Sequence, residues 1–238
     1  LTMGHDEAQA LYTHPKVAMI TLTGGVAAGR RVLEYSKTNI AKSSLELGGK
    51  TPAIVAADAD LEKAATDIVR SKTTNCGQLC TAVERVYVQR TVHDALVAKL
   101  KAKLSARQFG NRAADASHMG PLISASSRQA IHDMVQRAVQ DGAKLECGGV
   151  MPHGHGFFYP PTLLTQVRQQ SEIVQEEVFG PVLCVLPYDT FDEALAMASD
   201  HQFGLASVLY TENYRHVMQA GNEIEAGELY INRTPADP

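Results

Sequence analysis

The chain has 238 residues, of which 45% are hydrophobic and 20% are charged, and its formal net charge is −4 at pH 7. This composition is ordinary for a globular α/β protein with one or two cores. Because the positive and negative residues are interspersed, it predicts neither a nucleic-acid-binding groove nor a polybasic membrane surface. No apolar run approaches the ~18 residues that span a bilayer, and the first residues lack the pattern of a signal peptide, so we expect a cytoplasmic protein.

The N-terminal part of the chain predicts helix, strand, turn and helix in that order. Residues 6–14 have helical character, and residues 16–22 form a short apolar run that is typical of a buried parallel strand. A glycine turn follows at residues 23–25, and residues 27–37 predict a second helix. This order places helix N–H groups where they can bind a phosphate.

The glycine turn alone is a weak signal. Thr23, Gly24 and Gly25 leave the strand, but Gly24 and Gly29 do not complete the G-x-G-x-x-G spacing of dinucleotide-binding turns. A plain turn without a ligand is therefore an equally good interpretation of the spacing.

Strands and helices alternate along the rest of the chain. Extended segments are predicted at residues 43–47, 51–55, 85–89, 182–186 and 206–210. Helices are predicted up to Thr74 from a cap at Asp58 or Asp60, over 92–105 and 124–141, and from Phe191 and Asn213. The alternation predicts open, mostly parallel or mixed sheets with helices on both faces, with a surface loop at residues 149–156.

Cys80 and Glu46 are a candidate nucleophile and a candidate general base. Most cysteines are small buried hydrophobic residues, and Glu46 could be a surface carboxylate at a strand edge. Gly77 and Gln78, however, should break a helix before Cys80, and the backbone N–H groups of the resulting turn could stabilise a thiolate or an oxyanion. Gly48 follows Glu46 closely, at a point where the backbone can approach a ligand.

The four cysteines predict reduced thiols rather than a disulfide framework. Cys76 fits a buried structural residue, and a regulatory disulfide between Cys76 and Cys80 is an open alternative. We predict no metal site, because no histidine lies at a supporting interval from these two cysteines.

Several segments resemble the NAD(P)-dependent aldehyde dehydrogenase superfamily. Residues 45–50 (LELGGK) and 77–80 (GQLC) are similar to the glutamate and cysteine motifs of that family, at the expected separation. Further similar segments are residues 119–122, 159–162, 176–181 and 227–232. The resemblance covers almost the whole chain, although family members are about twice as long, so we expect a central-to-C-terminal part of such a protein.

The resemblance implies roles for individual residues. Cys80 would form a thiohemiacetal and then a thioester with an aldehyde, and Glu46 would activate the water that hydrolyses the thioester. The residues implied to contact NAD, with NADP not excluded, are Thr23, Gly24, Gly25, Gly29, Leu47, Gly48, Glu177 and Phe179. The family has a serine where this chain has Gly25, so one hydroxyl donor is absent here.

Three further residue assignments need to be weighed. Composition alone favours a helix end at Glu177 with Phe179 in the core, whereas the resemblance implies that Glu177 binds the nicotinamide ribose and Phe179 packs beside the nicotinamide. Asn232 begins a formal glycosylation sequon, which is a poor interpretation without a secretory signal. The resemblance places Asn232 at a strand end near the substrate funnel instead.

The resemblance also implies the domain arrangement and the partners. Residues 1–46 would be the remainder of an NAD(P)-binding domain of Rossmann type, 47–232 a catalytic domain, and 233–238 the start of a C-terminal segment. The substrate would be a small aldehyde, because the sequences of residues 108–111 and 232–234 are most similar to members that oxidise small hydroxyaldehydes such as lactaldehyde and glycolaldehyde. The full-length protein would be a homodimer or homotetramer.

Two other functions stay open at this stage. The same thiol and carboxylate could act as a cofactor-independent esterase, because acyl transfer to Cys80 needs no hydride acceptor. The chain could also be an inactive structural component. Because the family's oxyanion-binding asparagine has no counterpart here, and loss of one such donor costs ~2.7–4 kcal/mol of barrier, we expect the chain alone to be impaired as an enzyme.

Overall fold

The computed structural model describes residues 5–110 and 119–236. The chain forms two compact units, and the boundary between them falls between Gly48 and Gly49. Of the predicted terminal segment 233–238, residues 237 and 238 lie outside the described ranges.

The first unit contains two helices and two parallel strands. Its elements are α1 His5–Tyr12, β1 Met19–Thr23, α2 Val26–Ser36 and β2 Lys42–Glu46. The strand–turn–helix prediction is confirmed, but the predicted burial of the first strand is wrong. Ile20 is the one buried residue of β1. Among the described residues of this unit β1 pairs only with β2, so much of its surface stays accessible.

The second unit is built on one sheet of seven strands, in the order β5-β6-β7-β4-β3-β8-β9. The strands are β3 Pro52–Val55, β4 Arg85–Gln89, β5 Lys144–Cys147, β6 Thr162–Thr165, β7 Val182–Tyr188, β8 Ala206–Tyr210 and β9 Glu228–Ile231. All neighbours in this sheet are parallel except β5 and β6. The predicted α/β class with a mostly parallel sheet is therefore confirmed.

The helices of this unit cover both faces of the sheet. They are α3 Leu61–Thr73, α4 His93–Ser105, α5 Ala125–Gln140, α6 Glu172–Gln175, α7 Phe191–Ser199 and α8 Tyr214–Glu223. Ala53 and Val55 of β3 lie in one core with Ile68 and Leu100 of α3 and α4. Ile54, between them, faces a second core that contains Val135 of α5. This alternation is the period of two expected of a strand that is buried on both faces.

Element boundaries agree with the sequence to within a few residues where a strong pattern exists. The 85–89 strand is found at its predicted bounds, and the predicted surface loop at 149–156 has no regular structure. Strands β5, β6 and β9 and the short helix α6 were not predicted as elements. Their four-residue lengths give too few positions for a periodic pattern. Within the described ranges, no helix is long and apolar enough to cross a membrane.

Helix α3 begins at one of the two aspartates that the sequence proposed as caps. The Asp60 carboxylate accepts hydrogen bonds from the backbone N–H groups of Glu62 and Lys63, at 2.9 and 3.0 Å. Asp58 instead accepts hydrogen bonds from the Thr211 hydroxyl and from the Glu212 N–H.

We expect Asp60→Ala to lower the free energy of unfolding by about 1 kcal/mol, because it leaves helix N–H groups without a side-chain acceptor. Urea unfolding followed by circular dichroism measures the change. Asp133→Ala, at an exposed position within α5, is the matched control and should change stability by less than ~0.5 kcal/mol. Equal effects of the two substitutions would contradict the assignment of the cap.

Candidate active site

The glycine turn and Glu46 lie side by side in the first unit. Thr23 and Glu46 are paired in the register of β1 and β2. The Gly24 N–H donates to the carbonyl oxygen of Glu46 at 2.9 Å. The turn that the sequence proposed for phosphate binding and the candidate general base therefore share one edge of the two-stranded sheet, where the Glu46 residue is exposed.

The start of α2 fits a bound phosphate. Gly25 is the N-cap residue of α2, and no side chain caps this helix. A Cβ atom added at Gly25 would meet nothing within 4 Å, so the space beside the first N–H groups of α2 is open to a ligand. N–H groups at a helix start attract anions. The absent hydroxyl at position 25 leaves the backbone as the donor there.

Close packing of α2 on β2 depends on Gly29. A Cβ atom at this position would lie 2.8 Å from the side chain of Leu47, which requires one of the two to shift. Gly29 thus permits close packing between α2 and Leu47, the residue that follows β2. Leu47 and Gly48, which follow Glu46, are half-buried.

Cys80 lies in a turn between α3 and β4. The helix ends at Thr73, and Asn75, Cys76 and Gly77 follow with left-handed φ values of 48°, 59° and 72°. The predicted helix end at Thr74 and the predicted break before Cys80 are both confirmed, and the break begins at Asn75, two residues before Gly77. Three consecutive left-handed residues reverse the chain and leave Cys80 partly exposed before the central strand.

A reciprocal amide pair holds this turn. The Asn75 side-chain amide donates to the carbonyl of Gln78, and the Gln78 side-chain amide donates to the carbonyl of Asn75, both at 3.0 Å. The Gln78 side-chain oxygen also accepts from the N–H of Ile123 at 2.9 Å. The loop before Cys80 is thus fixed by the side-chain hydrogen bonds of Asn75 and Gln78.

The other three cysteines have different surroundings. All four cysteines are free thiols. Burial raises the pKa of Cys76 to about 12 and that of Cys184 to about 11, and it raises the pKa of the half-buried Cys147. The prediction that Cys76 is a buried structural residue is confirmed. Among the described residues, no group of three or more His, Cys, Asp or Glu side chains could hold a metal ion.

Gly49 lies against both Cys80 and Glu177. A Cβ atom at Gly49 would overlap the carbonyl oxygen of Cys80, and the Gly49 N–H donates to a carboxylate oxygen of Glu177 at 3.0 Å. Burial raises the pKa of the Glu177 carboxyl, although the hydrogen bond from Gly49 acts in the opposite direction. The cysteine loop and the Glu177 segment, both singled out from the sequence, are therefore close together.

Phe179 is not a core residue. It is 42% exposed and has a left-handed φ of 51°, so the core position that composition favoured for Phe179 is wrong, whereas a helix end close to Glu177 is found at Gln175. Glu177 and Phe179 follow the short helix α6 and line a cavity of about 210 Å³ together with Gln78 and residues of α5. An exposed aromatic ring beside a partly buried carboxylate is a typical ligand-contacting surface.

Asn232 closes the end of β9. Its side-chain oxygen accepts from the Thr211 N–H, and its side-chain amide donates to the Thr211 carbonyl, both at 3.0 Å. Its backbone has a left-handed φ of 52°. These bonds connect the ends of β8 and β9, which is a structural role for the asparagine side chain.

A buried ion cluster that sequence reasoning missed lies beneath the cysteine loop. One oxygen of Glu84 accepts from Lys50 Nζ at 2.6 Å, and the other accepts from Lys72 Nζ at 3.1 Å. All three residues are at most 2% exposed. Burial alone would raise the pKa of Glu84, but the two lysines lower it to about 2. Burial lowers the pKa of Lys72, and Glu84 reverses this only in part.

One signal for this cluster is present in the sequence. Lys50 and Glu84 stand just before the apolar runs of β3 and β4, which pair in parallel from Pro52 and Arg85. Parallel strands begin at the same edge of a sheet, so charged residues before neighbouring strands are expected to meet there. No comparable pattern identifies Lys72, which reaches Glu84 from the end of α3.

The fold and these residues define a class of α/β proteins with a nucleotide-type glycine turn and a partly exposed thiol before a central parallel strand. The chain belongs to the aldehyde dehydrogenase family, whose model matches residues 1–238.

Individual relatives support this membership. The chain is 47% identical over 234 residues to lactaldehyde dehydrogenase of Escherichia coli strain K12, covering 98% of this chain and 49% of that protein. The crystal structure of the Escherichia coli lactaldehyde dehydrogenase matches with a TM-score of 0.96 and 46% identity, over 100% of this chain and 50% of that one. A structure of 3,6-anhydro-L-galactose dehydrogenase in complex with NAP matches with a TM-score of 0.96 and 38% identity, over 100% and 51%.

A third solved structure extends the comparison to a complex with NAD+. Betaine aldehyde dehydrogenase of Staphylococcus aureus matches with a TM-score of 0.94 and 31% identity, over 100% of this chain and 48% of that one. The chain thus spans about half the length of the relatives it matches.

We expect iodoacetamide at pH 8 to alkylate Cys80 well before Cys76 and Cys184, because the latter two are buried and their pKa values are raised. Mass spectrometry of the resulting peptides measures each rate. Cys147, half-buried with a raised pKa, is the internal control and should react more slowly than Cys80. Labelling of Cys76 as fast as Cys80 in the folded chain would contradict the described loop.

We expect Gly49→Ala to destabilise the chain by about 1–3 kcal/mol, because the added methyl group overlaps the Cys80 carbonyl. The matched control is Gly221→Ala within α8, where the added Cβ meets nothing within 4 Å. This variant should be as stable as the unsubstituted chain or more stable by up to about 1 kcal/mol. Chemical unfolding measures both. A Gly49→Ala variant as stable as the unsubstituted chain would show that Gly49 does not pack on the cysteine loop.

Proposed function

We propose that this protein oxidises an aldehyde to a carboxylic acid with NAD or NADP, using Cys80 as the nucleophile and Glu46 as the general base. The observation that carries the proposal is the Cys80 loop: a partly exposed thiol is held in a turn of left-handed residues against Gly49, with Glu177 bonded to the same glycine. A buried structural cysteine, such as Cys184, needs no such arrangement.

Nicotinamide cofactor binding is assigned to two groups of residues. Thr23, Gly24 and Gly25 would hold the pyrophosphate against the open start of α2, with Gly29, Leu47 and Gly48 shaping the packing beside it. Glu177 would bind the nicotinamide ribose, and the exposed ring of Phe179 would contact the nicotinamide. Relatives with NAD+ and NAP in their solved structures support a nicotinamide cofactor for the family. When bound, this cofactor accepts the hydride that leaves the substrate carbon.

The chain's own residues supply the covalent chemistry. The Cys80 thiolate attacks the aldehyde carbon to form a C–S bond, and the carbonyl π electrons move to oxygen as an oxyanion that the Cys80 backbone N–H helps to stabilise. Loss of hydride from that carbon leaves a thioester. Glu46 then takes a proton from water, the resulting hydroxide attacks the thioester, and breaking the C–S bond releases the acid and the thiolate.

The proposed substrate is a small hydroxyaldehyde of the lactaldehyde class. This substrate proposal rests on the 47% identity to lactaldehyde dehydrogenase and on the amino-acid sequence of residues 232–234. Asn232 was assigned to the substrate site from the resemblance. Its amide is engaged with Thr211, so we propose that it shapes the site through the β9 end.

The oligomeric state, the domain organisation and the cellular location of the protein are also proposals. We propose a homodimer or homotetramer for the full-length protein, in a cytoplasmic setting. We also propose that residues 1–46 belong to the NAD(P)-binding domain, 47–232 to the catalytic domain and 233–238 to a C-terminal segment.

The test is an assay of NAD(P)H absorbance with a panel of small aldehydes that includes lactaldehyde. Cys80→Ala should abolish turnover, because no other described thiol is both partly exposed and located in the loop after α3. Glu46→Gln should slow hydrolysis by at least about 100-fold, the typical contribution of a general base, so that an acyl-enzyme accumulates and is visible as a mass increase at Cys80. Cys147→Ala is the matched control and should retain activity.

Two outcomes would redirect the assignment. Hydrolysis of an activated ester that depends on Cys80, without NAD(P)H formation from any aldehyde, would favour the cofactor-independent esterase. Absence of both activities, with concentration-dependent self-association, would favour a structural component.

A further inference from the structure

Three chain segments that carry or adjoin proposed site residues meet at Glu84. The first is Gly49 with Lys50, the second is the segment 177–180, and the third is the end of α3 from which the Cys80 loop departs. Lys50 and Lys72 donate to Glu84 from the first and third segments. From the second, the backbone N–H groups of Val178 and Phe179 donate to it at 2.9 and 3.1 Å.

Each Glu84 oxygen therefore accepts one ammonium and one backbone N–H. Oε2 accepts from Lys50 and Val178, and Oε1 accepts from Lys72 and Phe179. The carboxylate is 97% buried, so water cannot take over these bonds. No shorter or neutral side chain could satisfy all four donors at once.

The two N–H groups that donate to Glu84 lie at the proposed cofactor contacts. One belongs to the residue after Glu177, and the other belongs to Phe179 itself. Val178 directly follows Glu177, and the N–H that Phe179 donates fixes the backbone from which its exposed ring projects. Phe179 has a left-handed φ of 51°, which a phenylalanine does not adopt without external constraint. The hydrogen bond to Glu84 supplies such a constraint.

Backbone contacts extend the connection to the nucleophile. Gly49, next to Lys50, lies against the Cys80 carbonyl and donates to Glu177. Gly77, three residues before Cys80, has no room for a side chain because the Gly180 carbonyl and the Lys72 side chain lie against it. A shift of any one segment at Glu84 must therefore move the other two.

We propose that Glu84 is a positioning residue, which sets the Glu177–Phe179 backbone and the Cys80 loop in one fixed arrangement for hydride transfer. The proposal rests on the proposed function, since that function gives Cys80, Glu177 and Phe179 their roles. Glu84 touches neither substrate nor cofactor in this scheme and acts through the segments it holds.

The test compares two Glu84 variants with a matched buried carboxylate. Glu84→Gln replaces an acceptor oxygen by a donor. Glu84→Asp keeps the charge between the lysines but shortens the side chain by one methylene, and it serves as the second variant if Glu84→Gln does not fold. Asp67→Asn is the control, because Asp67 is also buried and paired with cations, Lys63 and Arg70, both of which belong to its own helix α3.

The first readout is hydrogen exchange of peptides that contain Val178 and Phe179, measured by mass spectrometry. Both Glu84 variants should raise the exchange rates of these amides by at least about tenfold, as expected when a hydrogen bond to a charged acceptor is lost. Asp67→Asn should leave them within about twofold of the unsubstituted chain. If a folded Glu84 variant shows the same hydrogen-exchange rates at Val178 and Phe179 as the unsubstituted chain, the proposal is overturned.

The second readout separates positioning from stability. The Glu84 variants should raise the KM for NAD(P)+ by at least about fivefold and change the rate at which iodoacetamide alkylates Cys80, whereas Asp67→Asn should do neither. Equal changes in all three variants would reduce Glu84 to a stabilising residue and overturn the proposal. If the unsubstituted protein forms no NAD(P)H, the proposed function fails, and the exchange and alkylation rates still decide the role of Glu84.

Discussion

The buried carboxylate of Glu84 is the interaction on which the arrangement of the second unit's site depends. Two lysines and one glutamate are removed from water there, and desolvation of an ion costs several kcal/mol unless hydrogen bonds replace the lost water. The four donors on the Glu84 carboxylate make that replacement. Such a cluster contributes little net stability compared with a well-packed apolar core, but removal of one partner leaves an uncompensated buried charge. In the proposed role of Glu84, that penalty disfavours any arrangement in which one of the three segments moves away from it.

Much of the fold could be predicted from local patterns. The strand at residues 85–89 has three β-favouring residues at its centre, Val86, Tyr87 and Val88, and its predicted bounds are those of β4. The burial of residues 16–22 could not be predicted in the same way. An apolar run indicates that a strand could be buried, but it does not show which residues another element covers. In β1, Ile20 is the one residue that is buried. The choice between Asp58 and Asp60 as a helix cap was likewise settled by Thr211, a residue distant in sequence that takes up Asp58.

The candidate site was predictable where the sequence carries a compact motif, and less so where residues meet through the tertiary fold. Cys80 and Gly49 belong to short segments with recognisable sequence motifs, and the structure places these two residues in contact. Phe179 was misjudged from composition because a large apolar residue is usually buried, and only the left-handed backbone at this position turns its ring outward. Lys72 and Glu84 are separated by the whole cysteine loop, so their pairing depends on how that loop reverses the chain.

The position of β4 within the sheet has a consequence for how the protein comes apart. β4 is the middle one of seven strands, with three strands on either side. Among the described strands, β5 and β9 each have a single neighbour, and local unfolding favours elements with few contacts. A protease that samples partly unfolded forms therefore cuts the ends of the sheet before it reaches the strand that follows Cys80. The thiol loop should consequently survive in nicked forms of the protein that have already lost their outer strands.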